Sequence, residues 1–374
     1  MSNRMVRLAR RPRGMATRED FTIEDGPVPE PGPGEFRVKI EYVSLDPAIR
    51  GWMNDAKSYA APIGIGEVMR SYSAGIVEKS NNPAFQAGEA VQGLLGVQKY
   101  AISNGQRIVK VDISQAPLQR WIGGLGMPGW TAYFGLLEIG QPKAGETVVV
   151  SAASGAVGSI VGQIAKIKGC RAVGIAGGPE KCRYVTQELG FDACVDYKAG
   201  NLATDLKAAA PKGVDVYFEN VGGEILDTVL MQMNLFGRIP VCGLISAYNA
   251  TSVPEGPKNL RAVLTQRLKM QVSSSSTGPI VCRRPSQSSG PGTSKASSTS
   301  GRTYARAASM PFPTFSICCI RAATRASWCS KSDAVLWCHD LLRPARRDRL
   351  ERGTALPGAA RHSPQHQGAR PGQA

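Results

Sequence analysis

The segment from Thr147 to Lys166 constrains the fold more than any other. The β-branched run Val148 to Val150 enters a turn, Ala152-Ala-Ser-Gly155-Ala-Val-Gly158, and leaves it with Val157, Ile160, Val161, Ile164 and Ala165 at helical spacing. A strand apolar at successive positions is covered on both faces, as in a parallel sheet. Gly155 lets the backbone approach a pyrophosphate, Gly158 lets the helix lie close on the strand, and the helix start offers unpaired N–H groups to an anion. Ala153 stands where the usual fingerprint has its first glycine, so the setting and not the turn alone separates a nucleotide site from an ordinary strand-turn-helix.

Periodicity continues beyond the turn. Strands are expected at Arg171–Ile175, Ala193–Asp196, Val214–Phe218 and Arg238–Cys242, with helices at Glu180–Leu189, Leu202–Ala210 and Ile225–Asn234. Alternation of this kind predicts a doubly wound parallel sheet. NAD-binding sheets place an acid about 20 positions past the glycine turn to hold the ribose hydroxyls. Here that place reads Ala176-Gly177-Gly178, and Lys181 follows inside the next helix. A cation in place of a carboxylate favours a 2′-phosphate, hence NADP over NAD; the alternative is an ordinary solvated helix lysine.

The 374 residues allow two domains with real cores. No apolar run approaches the roughly 20 residues that cross a membrane, and a soluble, cytoplasmic protein is expected. Arg4, Arg7, Arg10, Arg11 and Arg13, interleaved with Met5, Val6 and Leu8, suit either a strand or a transit peptide. Nine cysteines without paired metal-type spacing suit reduced thiols.

The net charge of +16 is concentrated at one end: residues 272–374 hold 15 Lys and Arg against 4 Asp and Glu, leaving 30 against 25 before them. After Gln271 the text turns to Ser, Arg, Pro, Ala and Gly, a composition that cannot offset chain entropy by burial. All three histidines, His339, His362 and His366, fall there. We expect a low-complexity, disordered basic tail produced by a frameshift near Gln271, which resequencing of the gene would test. The rival, a nucleic-acid-binding tail, lacks any basic-and-aromatic stacking pattern. Specific nucleic-acid and membrane partners are therefore not expected.

Five motifs in order, Gly126-Met-Pro-Gly-Trp-Thr-Ala-Tyr133, the glycine turn, Gly177-Gly-Pro-Glu-Lys181, Tyr217-Phe-Glu-Asn-Val-Gly-Gly223 and Cys242-Gly-Leu-Ile-Ser-Ala-Tyr-Asn249, carry a family resemblance. The chain resembles the zinc-independent medium-chain reductases of the prostaglandin reductase, leukotriene hydroxydehydrogenase and curcumin reductase group. The resemblance extends forward through Val43-Ser-Leu-Asp-Pro47 and Gly64-Ile-Gly-Glu-Val-Met69, covers about Met5 to Gln271 and then stops. It implies an α/β architecture: a GroES-like, mostly β catalytic domain over 1–122, a Rossmann NADP-binding domain over 123–271, and an aberrant tail over 272–374. Turn signals at Pro27–Gly34 and Asn81-Asn-Pro83 agree independently with short strands in the first part.

The resemblance also implies roles. Gly155, Ala156, Val157 and Gly158 hold the pyrophosphate, Lys181 and Tyr197 meet the 2′-phosphate, and Asn220, Cys242, Gly243 and the following loop lie along the nicotinamide, with Thr131 near the same ring. No metal is expected, because the residues before Cys170 contain neither Cys nor His. The implied reaction is NADPH-dependent reduction of the carbon-carbon double bond of a small α,β-unsaturated carbonyl substrate. Tyr248 is the candidate donor to the developing oxyanion, against simple loop packing. Tyr59 is a candidate at the substrate opening, against plain surface exposure. Asp46, Arg50 and Glu67 suit structural pairing better than acid-base work. The alternatives are an NADPH quinone reductase, or a non-catalytic NADP-binding remnant whose missing sheet edge and closing segment compromise stability, activity and any homodimer.

Overall fold

The computed structural model describes residues 1–272; the tail, its histidines and the frameshift expectation lie outside the described residues. The first part begins with β1 (Asn3–Leu8) paired antiparallel to β2 (Phe21–Gly26). Arg4 meets Asp25 at 2.8 Å, and Arg7 meets Glu24, across this pair. The arginine-rich start thus occupies a strand. There follow β3 (Phe36–Val43), helix α1 (Ala48–Trp52), β4 (Ser73–Ser80), β5 (Ala90–Gly93), β6 (Tyr100–Ser103) and β7 (Val109–Lys110). These five strands form an antiparallel sheet in the order β6-β3-β4-β5-β7. Alternating residues Phe36, Val38 and Ile40 point into its core with Val77, Val91 and Leu95.

Two helices, α2 (Leu118–Ile122) and α3 (Met127–Phe134), lead to the second unit. Its strands are β8 (Thr147–Ser151), β9 (Arg171–Ala176), β10 (Ala193–Asp196), β11 (Val214–Phe218), β12 (Met233–Val241) and β13 (Lys269–Val272). All pair in parallel, in the order β10-β9-β8-β11-β12-β13. This is the strand order of a dinucleotide-binding sheet, with its switch point between β8 and β11. The helices α4 (Gly158–Ile167), α5 (Pro179–Arg183), α6 (Leu202–Ala209), α7 (Gly223–Leu230) and α8 (Arg261–Thr265) cover it. Val148, Val150, Val216 and Phe218 face α4, whereas Val149, Ile175, Tyr217 and Ile239 face α6 and α7.

Two expectations are corrected. The helix read over 225–234 ends at Leu230, and β12 begins at Met233. Asn234 is tied down by donating to Asp215 Oδ1 at 2.7 Å, and Phe236 at φ +61° breaks the strand, so the apolar periodicity there belongs to an irregular β entry. The edge strand thought lost is also present in β13, which pairs from Arg238↔Lys269 to Val241↔Val272.

Helix α4 packs so tightly that a methyl on Gly162 would lie 1.8 Å from the Phe191 ring. Gly162→Ala should therefore destabilise the protein by about 1–3 kcal/mol, despite alanine's better helix propensity. The urea midpoint of unfolding checks this.

Candidate active site

The glycine turn lies at the carboxyl end of β8, where an open α/β sheet binds its ligand. Ala152 takes φ +50°, so the left-handed corner falls on an alanine one residue before the position where the fingerprint has its first glycine. Gly155 N–H donates to Ala152 O at 2.9 Å, and Ser159 N–H to Gly155 O at 3.0 Å, which lead the chain into α4. A methyl on Gly158 would lie 2.4 Å from Ala152 O, and one on Gly155 3.1 Å from the same oxygen. Bare backbone at both positions makes a cradle whose size and helix-start N–H groups fit a pyrophosphate. Ala156 and Val157 occupy the rim of that cradle, between the two glycines.

At the end of β9, Gly178 N–H donates to Asp196 Oδ1 at 2.7 Å, and Lys198 N–H to the same oxygen at 3.0 Å. The Tyr197 ring lies against Gly177, where a methyl would be 2.8 Å from it. Lys181 is exposed in α5, one turn from this corner. Lys181 and Tyr197 thus both lie near the corner that follows β9. The Asp196 carboxylate beside it is engaged with backbone donors.

Beyond β11 the chain is held by side chains. Asn220 N–H donates to Ser151 Oγ at 2.8 Å, and Asn220 Nδ2 to Ser151 O at 2.7 Å. Cys242 and Gly243 both donate their N–H groups to Glu219 O, at 2.8 and 3.2 Å. Ile245 N–H reaches Asn220 O at 3.2 Å, and Ser246 Oγ donates to Val221 O at 2.6 Å. Asn220, Cys242 and Gly243 therefore form one wall at the switch point. Burial pushes the Cys242 thiol up to about 12, with Glu219 adding to the shift. Thr131, half-buried, lies on α3, which packs against α4.

Tyr248 is half-buried, and its Oη accepts from Leu244 N–H at 3.3 Å. Burial raises this phenol, the Leu244 N–H lowers it, and Cys242 and Tyr59 raise it further. The hydroxyl proton stays available to an acceptor. Tyr59 is 71% exposed, yet it acts electrostatically on both Tyr248 and Tyr72. Tyr72 is raised by burial first and then by Asp46. Tyr59 therefore lies within electrostatic reach of both other phenols, and the half-buried Asp46 carboxyl within reach of Tyr72. Asp46, raised by burial, accepts from Ser44 Oγ at 3.0 Å. Arg50 is structural: it donates to Gly14 O at 2.8 Å and to Asn54 Oδ1 at 2.7 Å. Glu67 closes a turn by accepting from Gly64 N–H at 2.8 Å.

Sequence reasoning missed Ser151, Glu219 and Tyr72. The only cue to the first two was their place at the ends of neighbouring apolar strands, where side chains face the crevice. Among the described residues no group of three or more His, Cys, Asp or Glu is arranged to hold a metal. Nor is any helix there long and apolar enough to cross a membrane.

Residues 4–111 match the family described as the N-terminal domain of oxidoreductase, and residues 156–282 match the zinc-binding dehydrogenase family. The NADPH-dependent curcumin reductase of Escherichia coli (strain K12) is 51% identical over 272 residues, 72% of this chain and 78% of that protein. The NADP(+)-dependent 2-alkenal reductase of Nicotiana tabacum is 42% identical, over 72% of this chain and 80% of its own length. The crystal structure of CurA from Vibrio vulnificus in complex with NADPH superposes with a TM-score of 0.69 at 50% identity, covering 72% of this chain and 81% of that one. The chain belongs to the zinc-independent, NADP-dependent medium-chain reductases, the group of curcumin, alkenal and prostaglandin reductases.

With the thiol of Cys242 raised to about 12, only about one molecule in ten thousand carries the thiolate at pH 8. Iodoacetamide at that pH should leave Cys242 unmodified in the native protein and label it after unfolding, as read by peptide mass spectrometry.

Proposed function

We propose that this chain reduces the carbon-carbon double bond of small α,β-unsaturated carbonyl compounds, using NADPH and no metal. The observation that carries the reading is the bare-backbone glycine cradle at the carboxyl end of β8, with the other candidate groups on the loops that follow the neighbouring strands. The glycine cradle stands at the switch point, Lys181 and Tyr197 near the corner that follows β9, and the Tyr248 phenol on the loop beyond β12. The relatives named for curcumin, alkenal and prostaglandin reduction support the same chemistry.

In this reading the backbone from Gly155 to Gly158 holds the pyrophosphate, with Ala156 and Val157 contributing to the rim. Lys181 neutralises the 2′-phosphate and Tyr197 packs beside it. Asn220, Cys242 and Gly243 form the wall along the nicotinamide, with Thr131 on its neighbouring side. The bound reduced coenzyme supplies the hydride that the β-carbon of the substrate accepts. Negative charge then develops on the carbonyl oxygen, and a donor placed there lowers the barrier. Tyr248 fills that role: Leu244 N–H already contacts its oxygen, which leaves the phenolic proton for the substrate. The α-carbon takes its proton from solvent or through the same hydroxyl. Tyr59 flanks the opening through which substrate enters. Four free cysteines among the described residues suit the reducing cytoplasm, where we place the protein.

NADPH oxidation followed with a simple enone, beside a tryptophan-fluorescence titration with NADPH, tests the reading. Binding without turnover favours a non-catalytic nucleotide-binding protein. Tyr248→Phe should lower kcat about 10- to 1,000-fold with little change in NADPH affinity. Unchanged turnover would remove the residue from the mechanism. Lys181→Ala should weaken NADPH binding about tenfold or more while leaving NADH binding nearly unchanged. Equal loss for both coenzymes would place the phosphate contact elsewhere.

A further inference from the structure

Beneath the nicotinamide wall lie two buried ionisable groups that hydride transfer does not use, Glu219 and Tyr217, each fully excluded from solvent. Tyr217 pairs with Val149 in the parallel register, so alternation brings Glu219 beside Ser151 on the same face of the sheet. Glu219 Oε1 accepts from Ser151 Oγ and from Gly222 N–H, both at 3.0 Å, and from Val221 N–H. The other oxygen, Oε2, is buried without an aligned partner, and so is the Tyr217 hydroxyl. The two groups are nonetheless close enough for each to act on the other. No Lys or Arg among the described residues forms an ion pair with Glu219.

An ionised carboxylate here would be a buried charge without a counterion, which costs several kcal/mol. A neutral acid removes that cost. Its carbonyl oxygen is Oε1, which takes the three donors. Its hydroxyl is Oε2–H, on a group near enough to Tyr217 for each to influence the other. Burial, the largest influence, raises Glu219 above the ordinary carboxylate range, against the pull of the Val221 and Gly222 N–H groups and of the Tyr217 and Ser151 hydroxyls.

We propose that Glu219 is a neutral carboxylic acid that acts as a positioning residue for hydride transfer. Its side chain folds the turn through Val221 and Gly222 and ties it to β8 through Ser151. That turn carries Asn220, whose amide is anchored on Ser151 O and whose carbonyl receives Ile245 N–H. The Glu219 side chain thereby fixes both strands of the wall, including the loop that ends at Tyr248, and the proton lets it stay buried there without a counterion. The inference rests on the reading of this crevice as the reductase site.

The test uses the full chain as wild type, Glu219→Gln and Glu219→Ala. Infrared difference spectra of wild type against E219Q at neutral pH should contain the carbonyl band of a protonated carboxyl, shifted in D2O. Glutamine mimics the neutral acid, accepting through its oxygen and donating through its nitrogen. E219Q should therefore keep kcat within about threefold, with an unchanged pH profile. E219A should lower kcat about 10- to 100-fold through misplacement of the wall, while the NADPH dissociation constant moves less than about threefold. Should E219A fail to fold, Ser151→Ala replaces it, with the same split of kcat from affinity expected. Absence of the infrared band, or a loss in E219Q equal to that in E219A, would overturn the proposal. So would unchanged kcat in the alanine variants. If wild type binds NADPH yet reduces no enone, the functional reading fails. The neutral-acid assignment is then decided by the infrared band and by whether E219Q, unlike E219A, retains the wild-type melting temperature.

Discussion

The contact between Gly158 and the carbonyl of Ala152 is the constraint on which the second unit depends. At that point the first strand of the sheet, the corner and the helix meet with no room for a side chain. Because α4 is seated so closely, Val148 and Val150 are sealed on one side while Val149 is sealed on the other. The same closeness presents main-chain N–H groups at the switch point. Packing and anion recognition are thus one geometric fact here, and neither can be changed without the other.

The wall on the far side is built differently. Its order comes from a relay of hydrogen bonds that joins Ser151, Glu219, Asn220, Cys242 and Ser246. Buried networks of this kind are stiff when every member is satisfied and costly when one is not. The glycine turn is therefore held by backbone contacts, and the wall beyond β11 by side chains. A substitution in that wall can alter chemistry while leaving coenzyme affinity intact.

Legibility in the sequence followed the same division. The parallel sheet was readable because Val148–Val150 and the helical spacing through Ala165 are repetitive signals, and because the corner at Ala176-Gly177-Gly178 lacks an acid where one is informative. The left-handed corner was not, since it falls on Ala152 rather than on a glycine. Glu219 gave little more than its place at a strand end: an acid between Phe218 and Asn220 reads as the polar start of a loop, and only the neighbouring strand reveals that it is buried. Met233 to Phe236 misled because an irregular strand entry imitates helical spacing. Tyr72 escaped notice because its nearness to Tyr59 and Asp46 joins positions separated in the chain.

Arg11 and Arg50 have a mechanical consequence. Arg11 grips Met53 O and Ile63 O, and Arg50 grips Pro12 O and Gly14 O, so the arm between Arg11 and Gly14 is riveted to the first unit. The tip of that arm rests on the second unit, with Met15 Sδ accepting from Asn249 Nδ2 at 3.5 Å and Gly14 close to Thr251. Any swing of one unit relative to the other must therefore pull on the residue next to Tyr248. The arm thus links the first unit to the loop that carries Tyr248.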